Sequence, residues 1–269
     1  MNRTLSDREV TEEALRLDEA EQSRIQIKPG TTRFPNMTLE DAYLIQDAWV
    51  NRKIESGRRV VGHKVGLTSK VMQVVMKIDE PDFGILLDDM VFEDMADIKV
   101  DQFLDPRIEV EIAFKLKKDL DPINLTIEKV IESSASIHGA LELIAARSFR
   151  KDPVTAYTRT VKDTISDNAA NAGVILSKSS LPMDADLKWV GALIRKNGEI
   201  EESGLAGAVL EHPANGVIWL AEKYASINRV LKAGEIILSG SFTRPLVVEA
   251  GDEIIADFNQ FGKIGCRFI

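Results

Sequence analysis

Polar and apolar positions alternate through Arg107-Ile108-Glu109-Val110-Glu111-Ile112. This is the period of a strand, so Glu109 and Glu111 share one face while Ile108, Val110 and Ile112 share the other. The same period predicts a strand over 60–67, with Gly62, Lys64 and Gly66 on one face. Further strands are predicted at 98–100, 108–116, 174–176, 192–195, 236–238, 246–248, 253–258 and 263–268. Lys196-Asn197-Gly198-Glu199 reads as a two-residue hairpin turn.

Helical spacing governs the beginning of the chain. Ser6-Asp7-Arg8-Glu9 is a capping box opening a helix to about Ile25, and Thr38-Leu39-Glu40-Asp41 opens a second that Gly57 ends. Helical patterns also cover 127–147, which includes His138, and 215–224. The expected fold is α+β: a mostly antiparallel, rolled or sandwiched sheet with flanking helices. Residues 1–58 read as a small helical N-terminal region, and no strong linker divides residues 59–269.

Composition narrows the function classes. The formal net charge is −9 over 269 residues, and no basic patch is interleaved with aromatics, which argues against nucleic acid. No apolar run approaches the length of a membrane span, and the polar N-terminus lacks the apolar region of a secretory signal. The expected compartment is the cytoplasm. Cys266 is the single cysteine, so neither an intrachain disulfide nor a cysteine zinc site is available.

Several residues are candidates for chemistry. Two carboxylates at i and i+2 on one strand face lie roughly 6–7 Å apart at the backbone and can converge on one hard cation. The alternative is a solvated acidic face. Lys64 sits between two glycines on its own face, which leaves room for a ligand; the alternative is a surface lysine on an edge strand. Asp82, in Glu80-Pro81-Asp82-Phe83-Gly84, reads as a loop residue. The small and polar stretch 164–173 can bring backbone N–H groups to a ligand or simply pack tightly. Gly240-Ser241-Phe242-Thr243-Arg244-Pro245 follows a strand and suits a carboxylate-binding wall. His63, His138 and His212 follow no metal spacing and read as structural.

Taken in order, Gly62–Lys70, 80–84, Pro106–Glu111, Leu141-Glu142, Asp163–Asn171, His212–Gly216, Gly240–Pro245 and the Cys266-Arg267-Phe268 terminus resemble the fumarylacetoacetate hydrolase family, in its hydratase/decarboxylase branch. The likeness runs along nearly the whole chain. It implies a mixed β-roll behind a helical N-terminal region, and a homo-oligomer. It also implies a divalent metal, Mg²⁺ or alternatively Mn²⁺, held by Glu109, Glu111 and Glu142. The implied activity is hydration of an unsaturated 2-oxo dicarboxylate from aromatic meta-cleavage. Alternatives are hydration of a five-carbon 2-oxo acid, decarboxylation of a related dioate, and a non-catalytic partner subunit. Association with a pathway decarboxylase or aldolase is a further expectation. Lys64 and Asp82 are then the proton-transfer candidates, and Ser166, Asn168 and Thr243 the hydrogen-bond donors. Arg244, or in second place Arg107, would pair with the distal carboxylate. The loop histidine of the hydrolytic members has no match here, so carbon–carbon hydrolysis is disfavoured.

Overall fold

Two capped helices open the chain in the computed structural model, which describes residues 3–269. Helix α1 (Asp7–Ser23) begins with the reciprocal Ser6–Glu9 box, and α2 (Leu39–Glu55) with a Thr38–Asp41 box. Later helices are shorter: α3 (Lys70–Met76), α4 (Ile127–Glu132) and α5 (Val161–Ser166), followed by the longer α6 (Pro213–Ser226).

Thirteen strands accompany them among the described residues. They are β1 (Val60–Gly66), β2 (Asp82–Leu87), β3 (Val91–Phe92), β4 (Ala96–Ile98), β5 (Arg107–Leu116), β6 (Ser134–Ile144) and β7 (Asn171–Leu176). After them come β8 (Gly191–Lys196), β9 (Glu199–Leu205), β10 (Ile236–Ser241), β11 (Leu246–Val247), β12 (Glu253–Asp257) and β13 (Lys263–Phe268). The larger sheet has the order β2-β1-β10-β5-β6-β7-β3, with β11 also on β5. The smaller has the order β4-β13-β12-β8-β9. Pairs β1–β10, β3–β7 and β4–β13 are parallel and the others antiparallel, giving the expected mixed α+β fold. The predicted hairpin joins β8 to β9, with Asn197 and Gly198 both at positive φ (54° and 87°).

One apolar core runs through the molecule, from Leu17, Ile45 and Trp49 of the N-terminal helices to Ile112 and Phe114 of β5 and Phe268 of β13. The N-terminal region is also stitched to the sheet by polar contacts. Gln46 Nε2 donates to Phe83 O at 2.8 Å and to Ile165 O at 3.1 Å, joining α2 to β2 and α5. Thr31 donates to Asp163 through its N–H (2.8 Å) and its hydroxyl (2.6 Å).

Two expectations need correction. Helix α4 ends at Glu132, and most of the remaining predicted helix is β6, so His138 lies on a strand. Ala140-Leu141-Glu142-Leu143 consists of good helix formers. Strand β6 is nevertheless central, hydrogen-bonded on both edges by β5 and β7, and its last six residues are all buried. Burial on both faces erases the alternation that identifies a strand. Asp82 belongs to strand β2 rather than to a loop, and every residue of β2 is buried.

Candidate active site

Strands β5 and β6 bring the three glutamates together. Glu109 and Glu142 are directly paired residues of the antiparallel ladder, and Glu111 lies two positions along the Glu109 face. One oxygen from each residue lies within 4.8 Å of the others. Glu111 and Glu142 are fully buried, and Glu109 is half-buried.

A bulge fixes Glu111. Between the pairs Leu238↔Ala113 and Ser241↔Glu111, β10 carries one residue more than β5. Gly240 sits in this bulge at φ 120°, and its N–H donates to Glu111 Oε2 at 2.8 Å. The other oxygen, Oε1, is buried without a hydrogen-bond partner, as are both oxygens of Glu142.

Lys64 projects from β1 into this cluster. Its Nζ lies 3.3 Å from Glu142 Oε1, an ion pair without hydrogen-bond geometry, and the residue is buried. Asp82 stands across the ladder from Gly66 and is also buried. A Cβ on Gly66 would collide with Asp82 Oδ1 and come within 3.1 Å of Lys64 Nζ, so the bare backbone of Gly66 makes the space that Lys64 and Asp82 share. Asp82 Oδ1 is itself a buried acceptor without a partner.

The charges perturb one another strongly. Burial, and then the neighbouring Glu142 carboxylate, push Glu109 and Glu111 above the usual carboxylate range. Burial also raises the Asp82 carboxyl to about 6, against the pull of the Lys64 ammonium. For Lys64, burial works to lower the pKa, but Glu142, Asp82, Glu109 and Glu111 outweigh it and hold the amine protonated. Buried like charges with unmet acceptor oxygens are costly unless a cation joins them. An all-carboxylate donor set with free buried oxygens fits a hard divalent ion such as Mg²⁺.

The other predicted residues are placed differently. Both ends of the Asn168 amide are engaged by Ile85, whose N–H donates to Oδ1 at 2.8 Å and whose carbonyl accepts from Nδ2 at 2.9 Å. Asn168 thereby clamps β2, helped by three successive residues at positive φ, Asn168, Ala169 and Ala170. Ser166 Oγ donates to Lys162 O at 2.9 Å. Thr243 Oγ1 accepts from Val110 N at 3.1 Å. Arg244 is not brought to the cluster: its side chain is 84% exposed and paired with Glu202 of β9. His63 points away from Lys64, bonded to Tyr224 Oη (2.9 Å) with Nε2 3.2 Å from Glu235. The hydrogen bond from Gly240 N–H to Glu111 was absent from the sequence reading, whereas Gly66 was read as leaving space beside Lys64. Gly66 was marked by its place on the Lys64 face, whereas the bulge at Gly240 left no signal.

Comparison with known proteins places this geometry in a family. The chain is 52% identical over 257 residues to 2-oxo-hept-4-ene-1,7-dioate hydratase of Escherichia coli, covering 95% of this chain and 96% of that one. It is 37% identical over 258 residues to 2-keto-4-pentenoate hydratase of Paraburkholderia xenovorans (strain LB400), covering 96% and 94%. Among solved structures, 4-oxalocrotonate decarboxylase from Pseudomonas putida G7, complexed with magnesium and adipate, superposes with a TM-score of 0.93 at 30% identity over the whole of both chains. No protein-family model matches the sequence. The chain belongs to the fumarylacetoacetate hydrolase family, in its hydratase/decarboxylase branch.

Proposed function

We propose that the protein is a Mg²⁺-dependent hydro-lyase that converts 2-oxo-hept-4-ene-1,7-dioate to 4-hydroxy-2-oxoheptane-1,7-dioate in aromatic meta-cleavage catabolism. The observation that carries this reading is the convergence of Glu109, Glu111, Glu142, Lys64 and Asp82 in a chain 52% identical, end to end, to a hydratase of that substrate. Glu109, Glu111 and Glu142 would hold the cation. When bound, it supplies fixed positive charge beside the 2-oxo acid head group.

The protein's own groups then handle protons. A proton leaves C3 and another is delivered to C5, which moves the double bond into conjugation with the C2 ketone. Water next adds its oxygen at C4 and a proton at C3, so the net change is one water gained. Asp82, with Oδ1 free of hydrogen bonds and its pKa near 6, is suited to accept and return the C3 proton. The Lys64 ammonium, held protonated by its carboxylate neighbours, orients the substrate and supplies the acid. Strand β2, clamped by Asn168, holds Asp82 in place.

The test is to incubate the purified chain with Mg²⁺ and the dioate and to follow product mass and CO₂. Gain of one water without CO₂ supports the hydratase reading. CO₂ release without hydration points to the decarboxylase activity of other branch members. No turnover of dioate or monoacid leaves the non-catalytic partner subunit. The same reading makes the protein a cytoplasmic homo-oligomer able to associate with a pathway decarboxylase or aldolase, which light scattering of the chain alone and mixed with such a partner would test. No helix among the described residues is long and apolar enough to cross a membrane.

A further inference from the structure

Arg107, Glu109 and Glu111 alternate along β5 and so share one face of the strand. Glu111 is buried, whereas Glu109 and Arg107 are half-buried, so the carboxylate cleft becomes more open toward Arg107. Two more guanidiniums come from the segment between β6 and α5. A backbone hydrogen bond from Arg159 N to Arg150 O (3.0 Å) and the bridge pair Lys151↔Thr158 set Arg150 and Arg159 opposite each other.

The nearby carboxylates Asp105 and Asp167 are each shared between two cations. Arg150 Nε donates to Asp105 Oδ2 at 2.7 Å, and Arg107 Nη2 lies 3.6 Å from that same oxygen. Arg159 Nη1 lies 3.3 Å from Asp167 Oδ2, but Asp167 also pairs with Arg147 through Oδ1 at 3.0 Å. Arg107 Nε is buried and has no hydrogen-bond partner. The three cations also act on one another. Burial, and then Arg159 and Arg107, lower the Arg150 guanidinium to about 10. Asp105 links Arg150 to Arg107 at the more open end of the cleft.

We propose that Arg107, Arg150 and Arg159 seat the distal carboxylate of a 2-oxo dicarboxylate whose head group lies at the three glutamates. The proposal rests on the hydratase reading for its substrate class. Two strand positions, roughly 6–7 Å, separate Arg107 from Glu109 at the backbone, a span comparable to a seven-carbon dioate. Guanidinium forks match carboxylates in geometry and charge, and a half-buried site strengthens the pairing. The exposed Arg244, already paired with Glu202, takes no part.

The experiment measures binding, so it does not depend on turnover. Calorimetry in Mg²⁺ compares saturated 2-oxoheptane-1,7-dioate with 2-oxopentanoate on the wild type, Arg107→Gln, Arg150→Gln and Arg244→Gln. In Arg107→Gln and Arg150→Gln, preference for the dioate should fall roughly 30-fold or more. In Arg244→Gln it should change by less than about three-fold, as for an exposed ion pair. Equal losses of both ligands in natively folded Arg107→Gln and Arg150→Gln, or a fall confined to Arg244→Gln, would overturn the proposal. Should one variant lose its native circular dichroism, the other decides. A wild type that prefers the dioate yet hydrates nothing refutes the hydratase reading and leaves the seat standing.

Discussion

Glu142 faces Glu109 directly across the β5–β6 ladder, two acidic side chains at one register position in the middle of the larger sheet. Like charges placed opposite each other oppose folding, by about 0.2–1 kcal/mol on an ordinary sheet surface. Here burial sharpens the conflict and, with Glu142, pushes the Glu109 carboxyl above the usual carboxylate range.

Mg²⁺ should therefore stabilise the fold. At a hundred-fold excess over its Kd the ion adds about 2.7 kcal/mol, a rise in Tm of roughly 5–10 °C for a chain of this size. Glu109→Gln removes one of the opposed charges and leaves Lys64 with Glu142. Its metal-free Tm should rise by about 1–3 °C, and its response to Mg²⁺ should vanish. Thermal melts with Mg²⁺ and with chelator check both, and an unchanged Mg²⁺ response in Glu109→Gln would remove that residue from the ligand set.

Lys64→Met separates cation binding from turnover. Its kcat should fall by about 10²-fold or more. The ammonium 3.3 Å from Glu142 repels an incoming cation, so affinity for Mg²⁺ should increase in the variant. Calorimetry and steady-state rates on the same preparation test the pair of outcomes. Weaker Mg²⁺ binding would show that Lys64 organises the glutamates instead of opposing the ion.

Gly66→Ala should disable the site through one methyl group. The added Cβ meets Asp82 Oδ1 and approaches Lys64 Nζ, forcing the two apart. Overpacking of this kind costs about 1–3 kcal/mol, and displacement of reacting groups by about an ångström can cost 10²-fold in rate. A variant with near wild-type kcat would mean that the spacing of Lys64 and Asp82 is not limiting.

How much of this was legible in the sequence depended on burial. Strand β5 could be read because one of its faces stays polar, so Glu109 and Glu111 stood out against Ile108 and Val110. Strand β6 could not, since its end is buried on both faces and Ala140 to Leu143 favour a helix in isolation. Asp82 was singled out, yet its Pro81 neighbour suggested a turn where a buried strand begins. Arg244 drew attention as a lone cation after a strand. Arg150 and Arg159 drew none, because only tertiary folding brings Arg150 to Asp105, the carboxylate that Arg107 also approaches.

Acid should loosen the N-terminal helices in part through Asp41. Burial works to raise its pKa, but donors on Thr38, Leu5 and Thr4 outweigh this and hold it at about 2, below its ordinary 3.8. A depressed carboxylate stabilises the fold above its unfolded value and loses that contribution as pH falls through its folded one. Asp41→Asn should cost on the order of 1–2 kcal/mol at neutral pH. The gap from wild type should close as pH drops from about 4 to about 2. Denaturant titrations at several pH values would show it, and a gap that persists undiminished at pH 2 would assign the effect to shape, not charge.

The Gln46 amide ties α2 to the carbonyl of Phe83, the residue after Asp82, and to that of Ile165 in α5. The helices that supply no reacting group are thus part of the scaffold that aims one. A shortened protein beginning at residue 59 would keep every proposed proton carrier and cation ligand in its sequence, yet lose the brace beside one of them. Such a shortened protein should therefore turn over more slowly than the full chain although no reacting group has been removed.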